Sequence, residues 1–129
     1  MPLNAPKRLL IVEDEIEIRF LLVDLLKELH VDIIEAGDGQ EGLNAIQDKK
    51  IDLILTDLAM PKMNGFEFIR RVRALSIKTP IVVLTGHADL LVSNQLKAFQ
   101  PIYFMSKPFG NDSLKAEISK HLSDLLTAI

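Results

Sequence analysis

Five reactive side chains close or closely follow four short apolar runs. Glu13 and Asp14 come after Leu9 to Val12, Asp57 after Ile51 to Leu55, Thr85 after Ile81 to Leu84, and Lys107 after Ile102 to Met105. Short runs of branched apolar residues read as buried strands, so all five side chains are expected at carboxyl ends of strands, where open α/β sheets bind their ligands. Three carboxylates gathered there repel one another unless protons or a cation offset the charge. The chain has no cysteine and no histidine at a strand end, so the ligands are oxygens and the cation expected is magnesium, which binds through one or two carboxylates and keeps several waters. Lys107 offers a mobile positive charge and Thr85 a hydroxyl donor, groups suited to the equatorial oxygens of a transferring phosphoryl group. Asp57 remains as the nucleophile.

The elements that position these residues follow from the pattern between them. A fifth, weaker strand is predicted over Val31 to Ala36, whose alternation suits a place nearer the sheet edge. Helical patterns separate the strands, from Glu15 to Leu29, Gln40 to Asp48, Phe66 to Leu75, Asp89 to Phe99 and Ser113 to Leu126. Asp38 with Glu41 resembles a capping box, Asn64 precedes the third helix, and Asn111 or Asp112 is placed to cap the last. Strand and helix alternate five times, which predicts an α/β fold with a mainly parallel sheet covered by helices on both faces. Gly65 and Gly86 are read as serving backbone geometry and close approach. His30 and His121 are read as surface residues without a function.

The chain has 129 residues and a formal charge of −3, which suits one domain and offers no basic run to follow a nucleic-acid backbone. Direct nucleic-acid binding is therefore not expected. The apolar runs are far shorter than the roughly 20 residues a membrane helix needs, and the N-terminal one is too short for a secretory signal. No membrane partner and a cytoplasmic location are expected.

Four motifs in order carry a family resemblance: Val12-Glu13-Asp14-Glu15, the stretch from Thr56-Asp57 to Asn64-Gly65, Leu84-Thr85-Gly86-His87, and Ser106-Lys107-Pro108-Phe109. The chain resembles the receiver domains of response regulators in two-component signalling, from Lys7 to about Leu126. The likeness implies a single receiver domain over residues 1–129 with a flavodoxin-like, doubly wound (βα)5 fold and a five-stranded parallel sheet of order 2-1-3-4-5. It implies a phosphorylation-dependent switch rather than an enzyme with an external substrate, one that catalyses only its own phosphorylation and slow autodephosphorylation. Asp57 would accept phosphate from a phosphohistidine of a sensor histidine kinase or histidine phosphotransfer protein. Asp14, Asp57 and the Ala59 backbone carbonyl would bind Mg2+, with Glu13 acting mostly through water. Lys107 would pair with the phosphoryl group, Thr85 would move to hydrogen-bond it, and Phe104 would turn inward. Those motions would reshape the surface of the fourth helix, fifth strand and fifth helix for an output partner or an attached domain, neither of which the sequence names. The resemblance also sets His87 at the rim of the site, where it would influence phosphoryl lifetime, and makes the Lys107–Pro108 peptide bond cis. Gln100-Pro101, where the family often has Gly-Ala, and Phe104 in place of tyrosine are departures that bear on switching.

Two rival functions share this fold edge. A flavin-binding module would need a phosphate cradle of small residues after the first strand, where Glu13-Asp14-Glu15 stands instead. An aspartate-dependent phosphatase would place an acid two residues past its nucleophile, and here that residue is Ala59. On the first helix, Ile18, Leu21, Leu22, Leu25, Leu26 and Leu29 share one broad arc read as core, while Ile16, Phe20 and Val23 form a second stripe expected to face solvent and dock the phosphodonor.

Overall fold

The computed structural model describes residues 6–58, 60, 63–86, 94–106 and 110–127. Its strands are β1 (Arg8–Val12), β2 (Asp32–Ala36), β3 (Leu53–Asp57), β4 (Ile81–Thr85) and β5 (Ile102–Ser106). All pair in parallel, in the order β2-β1-β3-β4-β5. The helices are α1 (Ile16–Leu26), α2 (Gly39–Asp48), α3 (Gly65–Ala74) and α5 (Asn111–Thr127), and we label as α4 the helical residues 94–99, whose last turn, Lys97–Phe99, is 3-10. The doubly wound fold and its strand order are those expected.

Alternation along the inner strands builds two cores. Leu10, Val12, Ile54, Ile81 and Val83 pack against Leu43, Ile46, Phe68, Ile69, Val72 and Leu96 on one face. Leu9, Ile11, Leu53, Leu55, Val82 and Leu84 pack against Leu22, Leu26, Leu114, Ile118 and Leu122 on the other. Burial of each such side chain contributes about 1.5–3 kcal/mol. β3 is buried along its whole length, as a central parallel strand must be. It begins two residues later than the apolar run, because Asp52 is engaged in a lead-in: its amide donates to the Arg8 carbonyl at 2.9 Å and its carboxylate accepts from the Arg8 amide at 2.8 Å.

The helix starts follow their caps. The Asp38 carboxylate accepts from the Glu41 amide at 2.8 Å, but Glu41 reaches back to the amide of Gly37 rather than that of the cap residue. Asn64 accepts from the Glu67 amide at 2.9 Å. In the same turn Arg70 and Arg71 grip Glu67 and hold its carboxyl down at about 2. Asn111 and Asp112 lie inside the first turn of α5 rather than capping it, where Asp112 suits the positive end of the helix dipole.

At the amino ends of the strands Arg73 ties several segments together. Its guanidinium donates to the carbonyls of Phe99, Ile77, Thr79 and Pro101 at 2.7 to 3.0 Å. Burial pushes its pKa down from the ordinary value, but a guanidinium stays charged. The Gln100–Pro101 peptide bond is cis, and the Gln100 side chain accepts from the Ile102 amide at 2.9 Å. The cis bond expected between Lys107 and Pro108 lies outside the described residues, as do residues 89–93 of the predicted fourth helix.

Three expectations are corrected. His121 is 4% exposed, not a surface residue: Tyr103 stacks on it with ring centroids 4.1 Å apart, and it pairs with Glu117 at 2.9 Å. A histidine on the inner arc of α5, opposite an aromatic on the edge strand, is drawn in by the area it buries. Gly86 has no left-handed backbone, and among the described residues nothing approaches the place where its Cβ would stand. On α1 the exposed apolar residues are Ile16, Phe20 and Leu21, at 71%, 67% and 65%, whereas Val23 packs against the core. Leu21 and Val23 sit on opposite flanks of the buried arc, and a regular wheel cannot say which flank the rest of the fold covers.

Candidate functional site

The register of the sheet brings the chemistry-bearing residues to one edge. Val12 pairs with Thr56, Asp57 with Leu84 and Thr85 with Ser106. Glu13 therefore follows Val12 at the level of Asp57, and Thr85 stands one residue beyond the partner of Asp57 on the adjacent strand. Glu13, Asp57 and Thr85 are 1%, 7% and 6% exposed, and Asp14 is half-buried. A carboxylate beside a hydroxyl at the mouth of a parallel sheet can accept a group held between them. Lys107, Ala59 and His87, expected around the same mouth, lie outside the described residues.

The loop carrying the acidic pair is held from several sides. The Glu13 amide donates to the Ala36 carbonyl at 3.0 Å, and the Glu15 amide donates to the Glu13 carboxylate at 3.1 Å. Arg19, in the first turn of α1, donates from Nη1 to the Glu13 carbonyl at 2.7 Å and from Nε to the Glu35 carboxylate at 3.2 Å. Sequence reasoning passed over Arg19. Its signal was a cation in the first turn of a helix, where the dipole favours anions, four residues after the acidic run Glu13-Asp14-Glu15.

The Gly65 amide donates to the Leu58 carbonyl at 2.8 Å, which draws the start of α3 against the end of β3. The Thr56 hydroxyl donates to the Asp57 carbonyl at 3.0 Å. Phe104 is half-buried against the core on the α2 and α3 face, and Tyr103, its neighbour on β5, is turned to α5.

The donor chemistry fits a hard divalent ion, since Asp14 and Asp57 offer carboxylate oxygens at one sheet edge. Among the described residues no three acidic, histidine or cysteine side chains form a cage for an ion. Magnesium does not need such a cage, because one or two carboxylates suffice when water and phosphate oxygens complete its octahedron. No helix among the described residues is long and apolar enough to cross a membrane.

Comparison with known proteins agrees with this geometry. The chain is 25% identical over 116 residues to sporulation initiation phosphotransferase F of Bacillus subtilis, covering 90% of this chain and 94% of that protein. It is 33% identical over 111 residues to the cell cycle response regulator CtrA of Brucella ovis, covering 86% of this chain but only 48% of the relative. The solved structure of the chemotaxis protein CheY4 of Vibrio cholerae superposes with a TM-score of 0.84 at 32% identity, over 90% of this chain and 98% of that one. The family model described as the response regulator receiver domain matches residues 9–119, and the chain belongs to that family.

Proposed function

We propose that this domain is a magnesium-dependent phosphoryl switch whose acceptor is Asp57. The observation that carries the proposal is the placement of Asp57, buried at the carboxyl end of the central strand, level with Glu13 and beside Thr85. A carboxylate oxygen of Asp57 attacks the phosphorus of a phosphohistidine. The phosphorus–nitrogen bond breaks, its electron pair stays on the imidazole, and an acyl phosphate forms. Bound magnesium would offset the charge gathered on the oxygens during transfer. Asp14, Asp57 and the Ala59 carbonyl would hold it, with Glu13 acting through water. Thr85 donates its hydroxyl to a phosphoryl oxygen and Lys107 pairs with another. His87 sits at the rim in this reading and influences how long the acyl phosphate survives.

The donor is a sensor histidine kinase or a histidine phosphotransfer protein in the cytoplasm, and the transfer makes the domain a step in a phosphorelay. Docking falls to the exposed apolar residues of α1, Ile16, Phe20 and Leu21, beside the acidic loop. Movement of Thr85 toward the phosphoryl group and of Phe104 further inward would alter the face formed by α4, β5 and α5, which the output partner or attached domain reads.

Acetyl phosphate with magnesium tests the core of this proposal without a partner. Intact mass should show one phosphoryl group on the parent and none on Asp57→Asn. An equal gain of mass in Asp57→Asn would refute the assignment.

A further inference from the structure

We propose that Arg19 is a positioning residue for the acidic pair Glu13-Asp14 and thereby sets the affinity of the site for divalent cations. The inference rests on the magnesium-dependent reading above. Nη1 donates to the Glu13 carbonyl at 2.7 Å and Nε to the Glu35 carboxylate at 3.2 Å. The Arg19 side chain is 19% exposed, and a Cβ on Gly37 would meet Nη1 at 3.2 Å, so the glycine leaves the guanidinium its room. Three segments converge on one side chain: the loop after β1, the edge strand β2, and the turn before α2.

The geometry fixes what Arg19 can do. The Glu13 backbone is held at its amide, which donates to the Ala36 carbonyl at 3.0 Å, and at its carbonyl, which accepts from Arg19. The bond from Arg19 falls on the peptide that joins Glu13 to Asp14, so it fixes the plane from which the Asp14 side chain departs. Groups that orient metal-binding side chains through a hydrogen bond typically change affinity by about 10-fold or more when removed. A guanidinium suits the task because its rigid fork reaches a carbonyl and a carboxylate at once, which an ammonium does with poorer geometry.

Arg19 also carries a positive charge near a cation site, and the two roles predict opposite signs. If charge were its main effect, Arg19→Ala would remove a repulsion and tighten the cation. If positioning dominates, Arg19→Ala loosens it. Glu35 already offsets much of that charge, which favours the second outcome.

The test is a titration of the unphosphorylated domain with Mn2+, followed by electron paramagnetic resonance, for the parent, Arg19→Ala and Arg19→Lys. Arg19→Ala should bind Mn2+ about tenfold more weakly, and Arg19→Lys, which keeps the charge, should fall between it and the parent. Labelling by acetyl phosphate should slow in Arg19→Ala at limiting Mg2+ and recover at saturating Mg2+, which a general loss of structure would not produce. Tighter or unchanged Mn2+ binding in Arg19→Ala, or parental binding in Arg19→Lys, would overturn the inference while leaving the phosphoryl switch standing. A parent that neither binds Mn2+ nor takes a phosphoryl group would overturn the switch itself and the inference with it.

Discussion

The amide of Gly65 donates to the carbonyl of Leu58 at 2.8 Å, and this contact leaves no room for a side chain. A Cβ on Gly65 would collide with the Asp57 carbonyl oxygen and the Leu58 Cα. Both are backbone atoms at the acceptor strand, so they yield only if the end of β3 shifts. Gly65→Ala should destabilise the fold by about 1–3 kcal/mol, as overpacking does, and slow acetyl phosphate labelling of Asp57. Urea unfolding and intact mass measure the two effects. Parental values in both would mean that α3 can back away from β3 at no cost.

Arg73 supports a prediction at the opposite end of the sheet. Its removal strands carbonyls of Phe99, Ile77 and Thr79 that accept from it, and each buried acceptor left unsatisfied costs about 1–3 kcal/mol. Water reaches some of them, so Arg73→Ala is expected to cost about 2–4 kcal/mol in total. Arg73→Lys should restore little, because one ammonium cannot reach carbonyls spread around a planar fork. Near-parental stability of Arg73→Lys would show that charge alone holds the loops.

Much of this molecule was legible in its sequence because the signals are local. Apolar runs followed closely by Asp57 and Thr85 placed both at strand ends, and Asp38 and Asn64 announced the helices they cap. What stayed hidden depends on which flank of an element the rest of the fold covers. Leu21 and Val23 are equally apolar and stand on opposite sides of the buried arc of α1, yet one is exposed and the other packed. His121 was drawn inward by Tyr103, a partner 18 residues away on another element. Arg19 and Arg73 act on backbone carbonyls, which no residue pattern displays.

The Tyr103–His121 stack can be watched directly, since Tyr103 is the sole tyrosine in a chain without tryptophan. His121→Ala opens space beneath the ring and removes the partner of Glu117, at a cost of about 2–3 kcal/mol. The freed ring should show lower fluorescence anisotropy. Unchanged anisotropy and stability would mean that the stack contributes nothing to the packing of β5 on α5.

The last prediction concerns the phosphodonor and follows from the corrected surface of α1. Ile16, Phe20 and Leu21 are each about two-thirds exposed. Single exposed hydrophobes are ordinary, but three on the outer side of one helix are the kind of patch that marks an interaction site. The helix starts two residues after Asp14, so a partner seated on this patch lies close to the acidic loop. An apolar ridge of this kind packs into the groove of a helical partner, which is the surface a histidine-bearing bundle offers. Phe20→Asp and Leu21→Asp should therefore slow phosphotransfer from the histidine partner by at least tenfold, since losing a buried aromatic or leucine contact costs over about 1.4 kcal/mol. Neither change touches the acceptor pocket, so acetyl phosphate labelling of Asp57 should persist. Val23→Asp behaves differently, because Val23 packs against the core: it should lower stability and reduce both reactions together. Phosphotransfer at the parental rate in Phe20→Asp and Leu21→Asp would move the docking surface off α1, and equal losses in both reactions would mean that the charge had damaged the fold.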